Sequence, residues 1–394
     1  VKIALVILHA DVARGGAERY TIDLAASLVA RGHGVAVLAS SFQSGAMAGE
    51  RVLLKADGVT RTGRYAHFLD SLDAHLRVAK YDVVHAMLPV RQCDIYHPHA
   101  GLAAEAISEG HRAKAGSAAQ TLAWMGNRFN ARRRRFARVE RELLNSKNPP
   151  VVLCLSQLIQ SVVKRHYPNL AADRLVSLFN GIDLDRYQPQ HGCENRELIR
   201  GRYQFSDSDV VGLMLAHDFE RKGLGQAIAA LAETKRAATG GELKLLVGGK
   251  PDPGAYRQLA RSLGVESRVI FAGPVREPAG FYQAADFFVL PTRFDPCSLV
   301  VLESLAMGLP VISTAQNGAC EVMTSGEHGF VLPNPDDLTG LVKAMEAMAQ
   351  QELRKKMALK CLELRPTLSQ QTHLDTLETI YQAHNQITAP HLGV

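Results

Sequence analysis

The fold reading turns on Asp286-Phe287-Phe288-Val289-Leu290-Pro291, followed closely by Phe294-Asp295-Pro296-Cys297-Ser298-Leu299-Val300-Val301-Leu302-Glu303-Ser304-Leu305-Ala306-Met307-Gly308-Leu309-Pro310-Val311-Ile312. Four apolar residues suit a buried strand, and Pro291 ends it. A loop carrying one acid, Asp295, leads into an apolar helix carrying a second, Glu303. Gly308 and Pro310 stop that helix, and Val311-Ile312 opens another strand. Strand, loop, helix, strand is a βαβ unit, which places ligand chemistry at the carboxyl end of its first strand. The loop amides lie at a helix N-terminus, where anions are favoured.

A chain of 394 residues is too long for one ordinary domain, and 46% hydrophobic residues is enough for two cores. That composition excludes a disordered chain. No apolar run reaches the ~18 residues of a membrane span. Ile3 to Leu8 reads as a first strand, not as a signal peptide. Six scattered cysteines without CxxC spacing imply reduced thiols, a cytosolic protein and no zinc site. The net charge of +6 is uneven: residues 1–170 are net +10 and the rest net −4. A basic excess confined to one half implies a local anionic partner.

Outward from the opening stretch, apolar strands and helices alternate. Expected strands are 1–8, 35–39, 81–85 and 151–155, and then 210–215, 243–247, 268–272, 286–290, 311–313 and 329–332. Asp94 to Gly101 reads as a polar loop, and 168–190 as a last strand with a linker. The architecture is therefore α/β, with two doubly wound Rossmann-like domains facing a cleft. The expected bounds are 1–172 for the first domain and 173–367 for the second, with a closing helix over 368–388 docked back on the first.

Several constellations carry chemistry. Arg221-Lys222-Gly223 follows a strand and precedes a helix; two cations at a positive helix terminus suit a diphosphate better than solvent. Gly15-Gly16 sits in the first βα turn, where a phosphate approach or a tight turn would account for it equally. His85, His97 and His99 follow strand ends; none has a carboxylate or Cys spaced to complete a metal site, and His99 is the preferred functional one. Asp183-Leu184-Asp185 has the DxD form but lies in the linker, where turn formation explains it. Between Asn127 and Asn145 lie Arg128, Arg132, Arg133, Arg134, Arg135, Arg138 and Arg141, with Phe129, Phe136, Val139, Leu143 and Leu144 as an apolar stripe. This basic amphipathic helix suits an anionic membrane surface or an anionic lipid acceptor, or packing alone. No aromatic platform for nucleic acid accompanies it.

In order along the chain, Gly15-Gly16, Asn180-Gly181-Ile182-Asp183, Arg221-Lys222-Gly223, Leu246-Val247-Gly248, Ala284-Ala285-Asp286 and Asp295…Glu303 resemble the retaining nucleotide-sugar glycosyltransferases of family four, which have the GT-B fold. The form of the Arg-Lys-Gly segment and the basic helix look most like the lipopolysaccharide core glucosyltransferases. The resemblance implies that Glu303 holds the donor ribose and that Arg221 and Lys222 hold its diphosphate. Asp295, with Ser298, Leu299 and Val300, would contact sugar and phosphate. Gly15 and Gly16 would face the diphosphate, and His99 would lie near the reacting sugar. Asp295 stands where the family usually has Glu, and Cys297-Ser298 replaces the usual Phe-Gly. The implied reaction moves a hexose, glucose from a UDP donor by default, to a glycolipid or saccharide acceptor such as lipopolysaccharide core. It needs no cofactor or metal, and the protein would lie peripherally on the inner face of the cytoplasmic membrane. The alternatives are a nucleotide-sugar-binding protein or a nucleotide-sugar epimerase of the same fold.

Overall fold

The computed structural model describes residues 1–108, 130–189, 193–234 and 241–388. Arg128 and the first part of the expected basic helix lie outside them. The chain divides into two compact units, Val1–Phe179 with His373–Val394, and Asn180–Thr372.

The first unit holds a seven-stranded parallel sheet in the order β3-β2-β1-β4-β5-β6-β7. Its strands are β1 Lys2–Val6, β2 Gly34–Ala39, β3 Glu50–Leu53, β4 Val83–Ala86, β5 Ile95–Tyr96, β6 Val151–Cys154 and β7 Leu175–Ser177. Helices cover both faces, so β1 and β2 are nearly unbroken apolar runs. Two strands differ from expectation. Ile95–Tyr96, read as polar loop, pairs between β4 and β6. It is too short to show a period, and the hydroxyl of Tyr96 is satisfied internally by Glu140 at 2.6 Å. The edge strand β3 is mostly exposed and so carries no apolar pattern.

The helix Gln370–Thr388 packs on this unit. Leu374, Leu377 and Tyr381 enter the core beside Ile3, Leu5 and Leu24. Arg31 pairs with Glu378 at 2.8 Å and with Asp375 at 2.7 Å, and His384 meets Asp94 at 3.1 Å.

The second unit holds a six-stranded parallel sheet in the order β10-β9-β8-β11-β12-β13. Its strands are β8 Val210–Leu215, β9 Leu243–Gly248, β10 Val269–Gly273, β11 Phe287–Leu290, β12 Val311–Thr314 and β13 Gly329–Leu332. All of β8 and β11 is buried. Gly212 makes room for its neighbour in the sheet: a Cβ there would lie 2.6 Å from the ring of Phe287. In both sheets the strand order reverses at one place, between β1 and β4 in the first and between β8 and β11 in the second. Crevices at the carboxyl ends of such strands are where open α/β sheets take ligands.

Candidate active site

The loops after β8 and β11 meet at the second sheet's reversal point. Gly223 holds them together. Its φ of 80° is in the left-handed region, and a Cβ there would lie 2.1 Å from the carbonyl oxygen of Pro291. Only glycine fits. Around it, the Arg293 amide donates to the Arg221 carbonyl at 2.9 Å, and Thr292 Oγ1 donates to the same carbonyl at 3.1 Å. The Arg221 guanidinium donates to the Phe294 carbonyl at 2.9 Å and lies 3.5 Å from Asp218.

This bracing brings Lys222 Nζ into direct contact with the Asp295 carboxylate, with both residues buried. Burial and the adjacent Arg221 charge push the Lys222 ammonium well down from its ordinary value. Asp295 against it favours the charged form. Two charges removed from water carry a large desolvation cost. The pair can therefore be reorganised by an anion that competes for the ammonium.

The Asp295 loop is held from the far side by Asn317. The Asp295 amide donates to the Gln316 carbonyl and the Gly318 amide to the Asp295 carbonyl, each at 2.9 Å. Asn317 Oδ1 accepts from the Ser298 amide at 3.3 Å and from the Ala319 amide at 3.1 Å. Ser298 is the N-cap of the helix Leu299–Ala306, and its own amide is thus engaged within the fold. The Leu299 and Val300 amides are among those that a helix leaves without intrahelical partners. One turn on, Glu303 is buried and accepts from Tyr282 Oη at 2.6 Å. Burial and the Glu303 charge together push the Tyr282 hydroxyl well up, so it stays a donor. Asn180 donates to the Cys297 carbonyl at 3.2 Å.

Arg221, Lys222 and Asp295 are thus brought together, with Ser298, Leu299, Val300 and Glu303 on the helix that continues their loop. Asn317, Tyr282 and Asn180 also position the site. Asn180 stood in a motif without a role, whereas Asn317 and Tyr282 had no spacing to mark them. Asp183 is a turn residue: its Oδ1 accepts from the Asp185 amide at 3.0 Å and the Arg186 amide at 3.1 Å. No group of His, Cys, Asp or Glu suited to a metal ion occurs among the described residues.

Gly15, Gly16 and His99 belong to the first unit. Gly15 caps the helix Gly16–Ala30 in extended backbone, φ 173°, a conformation open to any residue. His99 lies with its ring on Tyr20, centroids 4.0 Å apart, beside His97 at 4.3 Å. His97 accepts or donates through Nδ1 to His85 Nε2 at 3.2 Å, and His85 Nδ1 meets Tyr381 Oη at 2.7 Å. The Nε2 atoms of His97 and His99 are buried without a hydrogen-bond partner. Burial holds all three imidazoles far below the usual histidine range, His85 at about 3. They are neutral.

On the helix Ala131–Leu144, Arg132, Arg133, Arg134 and Arg138 are exposed and Arg135 is half-buried. Val139, Leu143 and Leu144 are buried, and Phe136 stacks on Tyr65 with centroids 4.0 Å apart. The buried stripe also contains an acid. Glu140 accepts from Tyr96 at 2.6 Å, Tyr167 at 3.0 Å and the Ala103 and Ala104 amides at 2.9 Å each.

Known proteins give this geometry its chemistry. Residues 210–351 match the family described as Glycosyl transferases group 1, and residues 14–186 match Glycosyltransferase Family 4. The chain belongs to this glycosyltransferase group and has its two Rossmann-like domains, the GT-B fold. Among its relatives is the lipopolysaccharide glucosyltransferase WaaG of Escherichia coli (strain K12), 26% identical over 87% of this chain and 89% of the relative. A GDP-mannose-dependent phosphatidylinositol monomannoside mannosyltransferase of Mycolicibacterium smegmatis is 32% identical over 40% of this chain and 42% of its own length. In fold, the chain superposes on the crystal structure of WaaG with a TM-score of 0.80 at 23% identity, covering 98% and 100% of the two chains. The corresponding figures for HepE of Anabaena, solved with UDP and glucose, are 0.69, 19%, 97% and 99%.

Proposed function

We propose that this glycosyltransferase is a retaining hexosyltransferase. In this reading it takes glucose from a UDP donor and passes it to an anionic saccharide or glycolipid of the lipopolysaccharide core type, at an anionic membrane surface. The observation that carries the reading is the Lys222–Asp295 pair, buried at the reversal point of the second sheet and flanked by Arg221. As the bond from sugar C1 to the donor phosphate breaks, charge grows on the leaving diphosphate. Lys222, Arg221 and the amides of Leu299 and Val300 would stabilise that charge. Asp295, released from Lys222 as the phosphate takes over that ammonium, would turn to the sugar hydroxyls. Glu303 would hold the ribose. In a front-face transfer the acceptor hydroxyl attacks on the side the diphosphate leaves, and the leaving phosphate oxygen takes its proton. Neutral His99 would offer a hydrogen bond near the sugar. The relationship to WaaG over most of both chains favours glucose and the core acceptor. A GDP-mannose donor is the second reading, favoured by the 32% identical mannosyltransferase.

Thermal unfolding with UDP-, GDP- and ADP-sugars tests the donor, because a ligand bound only by the native state raises apparent stability. UDP-glucose should give the largest upward shift; a larger shift with GDP-mannose overturns that choice of donor. Loss of one such donor group costs ~10²–10³ in rate. Lys222→Ala and Arg221→Ala should each lose transfer on that scale, and near-normal turnover by both would sink the assignment. For the membrane, reversing the charge at Arg132, Arg133, Arg134 and Arg135 should reduce sedimentation with phosphatidylglycerol vesicles. Unchanged sedimentation means that those arginines serve another ligand.

A further inference from the structure

The reversal point of the first sheet lies between β1 and β4, and the basic residues around it are arranged against their own electrostatics. Arg61 and Arg64 occupy the first turn of the helix Arg61–Val78, and Arg132 the first turn of Ala131–Leu144. Neither helix has an acid in its first turn. Cations are disfavoured at that end of a helix, where the dipole is positive.

The two helices meet at these ends. Tyr65, next to Arg64, stacks on Phe136 at 4.0 Å and 19°, and the Arg132 guanidinium lies 5.3 Å from the Phe136 ring centre. Tyr65 Oη donates to the Pro89 carbonyl at 2.6 Å, which fixes the stack to the loop after β4. Arg14 comes from the loop after β1, where it lies 3.8 Å from Asp11. The charges bear on one another. Partial burial, then Arg61 and Arg14, pull the Arg132 guanidinium down from its ordinary value, and burial, then Arg14, Arg132 and Arg64, lowers His9.

Three other arginines of this unit are neutralised. Arg91 bonds Asp70 and Asp73, Arg31 bonds Glu378 and Asp375, and Arg165 bonds Glu105. Among the described residues, Arg61, Arg64 and Arg132 have no carboxylate partner. Like charges drawn from three elements, two of them at the wrong helix end, cost stability that an anion would offset.

We propose that Arg14, Arg61, Arg64 and Arg132 form an anion subsite at the first sheet's reversal point that takes a phosphate or carboxylate group of the acceptor. This rests on the transferase reading for the word acceptor; the anion site itself does not. The same chemistry is offered by a phosphorylated sugar and by a lipid headgroup. Guanidinium groups from separate elements can fork a phosphate from several sides, which a single basic helix face cannot do.

The test compares the whole chain with Arg61→Ala/Arg64→Ala and with a control, Arg51→Ala/Lys55→Ala, that removes the same charge elsewhere on the unit. Binding of glucose 6-phosphate and of glucose is followed by ligand line broadening, and binding to phosphatidylglycerol vesicles by sedimentation. The expected result is preference for glucose 6-phosphate over glucose, about tenfold weaker in R61A/R64A and unchanged in the control. R61A/R64A should unfold at the same temperature as the parent or higher, because it relieves repulsion. A drop confined to vesicle binding assigns the subsite to a lipid headgroup. Equal losses in both variants, or no loss in either assay, overturn the proposal. Donor-induced thermal shifts, carried by the second unit, should be the same in all three proteins. A chain that lacks those shifts but keeps the phosphate preference would refute the transferase reading and leave the subsite standing.

Discussion

Lys222 and Asp295 set the energetics of the donor site at the residue scale. Each is buried with the other as its charge partner. Removing one member of such a pair strands the other charge, at a cost of about 3 kcal/mol or more. Asp295→Ala and Lys222→Ala should each lower the denaturant midpoint of the second unit. The double variant should recover part of the loss, with a coupling of at least about 1 kcal/mol. Strictly additive losses would mean that the pair is not energetically coupled. Both residues were legible in the sequence as members of the site, because a βα loop can be recognised from its flanking strand and helix. Their mutual contact was not, since their separation of 73 in sequence is bridged only by the adjacency of β8 and β11. The same limit hid Asn317, one strand further on, whose side-chain carbonyl bonds the Ser298 amide.

At the scale of elements, the arginine helix is held by its one buried acid. Its polar face and its apolar stripe followed from the residue pattern. Glu140 did not, because an acid at a stripe position reads as a break in the pattern. Burial raises the Glu140 carboxyl, and hydrogen bonds from Tyr96, Ala103, Ala104 and Tyr167 oppose that rise. Those four donors come from β5, from the start of the helix Ala103–Ser108 and from the end of Gln157–His166. One carboxylate therefore fixes the arginine helix against three other pieces of the unit. It also explains how β5 can bury a tyrosine in a strand too short to announce itself. Glu140→Ala leaves two hydroxyls and two amides without their acceptor, each unsatisfied group costing about 1–3 kcal/mol. The expected loss in the first unit's stability by urea titration is at least about 3 kcal/mol, with a smaller loss for Glu140→Gln. A loss below about 1 kcal/mol in the alanine variant would show that the helix is held by its apolar stripe alone.

Over the whole molecule, the first unit carries a group of buried histidines. His85, His97 and His373 are buried in the first unit, where Tyr20 meets His373 at 2.8 Å and Tyr381 meets His85 at 2.7 Å, so the closing helix packs directly on neutral imidazoles. Burial lowers His373 to about 4 and His85 to about 3, and puts His97 well below the usual range. The sign follows from proton uptake. Below pH ~6.5 the unfolded chain protonates these groups and the folded one does not, so stability is lost as pH falls through that value. The loss continues until the folded groups titrate, near 4 for His373 and near 3 for His85. Each such group contributes about 1.4 kcal/mol per pH unit in that window, so three contribute about 4 kcal/mol. Against a native stability on the order of 5–15 kcal/mol, a fall of one and a half pH units removes about 6 kcal/mol, enough to melt a unit at the lower end of that range. Calorimetry between pH 7.5 and 4.5 should therefore resolve two transitions, with the first unit's moving steeply downward below pH 6.5. Replacing Tyr381 with Phe should leave that slope in place, because burial and not the hydroxyl is the first cause of the His85 shift. If both transitions fall together, or neither moves, the buried imidazoles are not what limits this fold in acid.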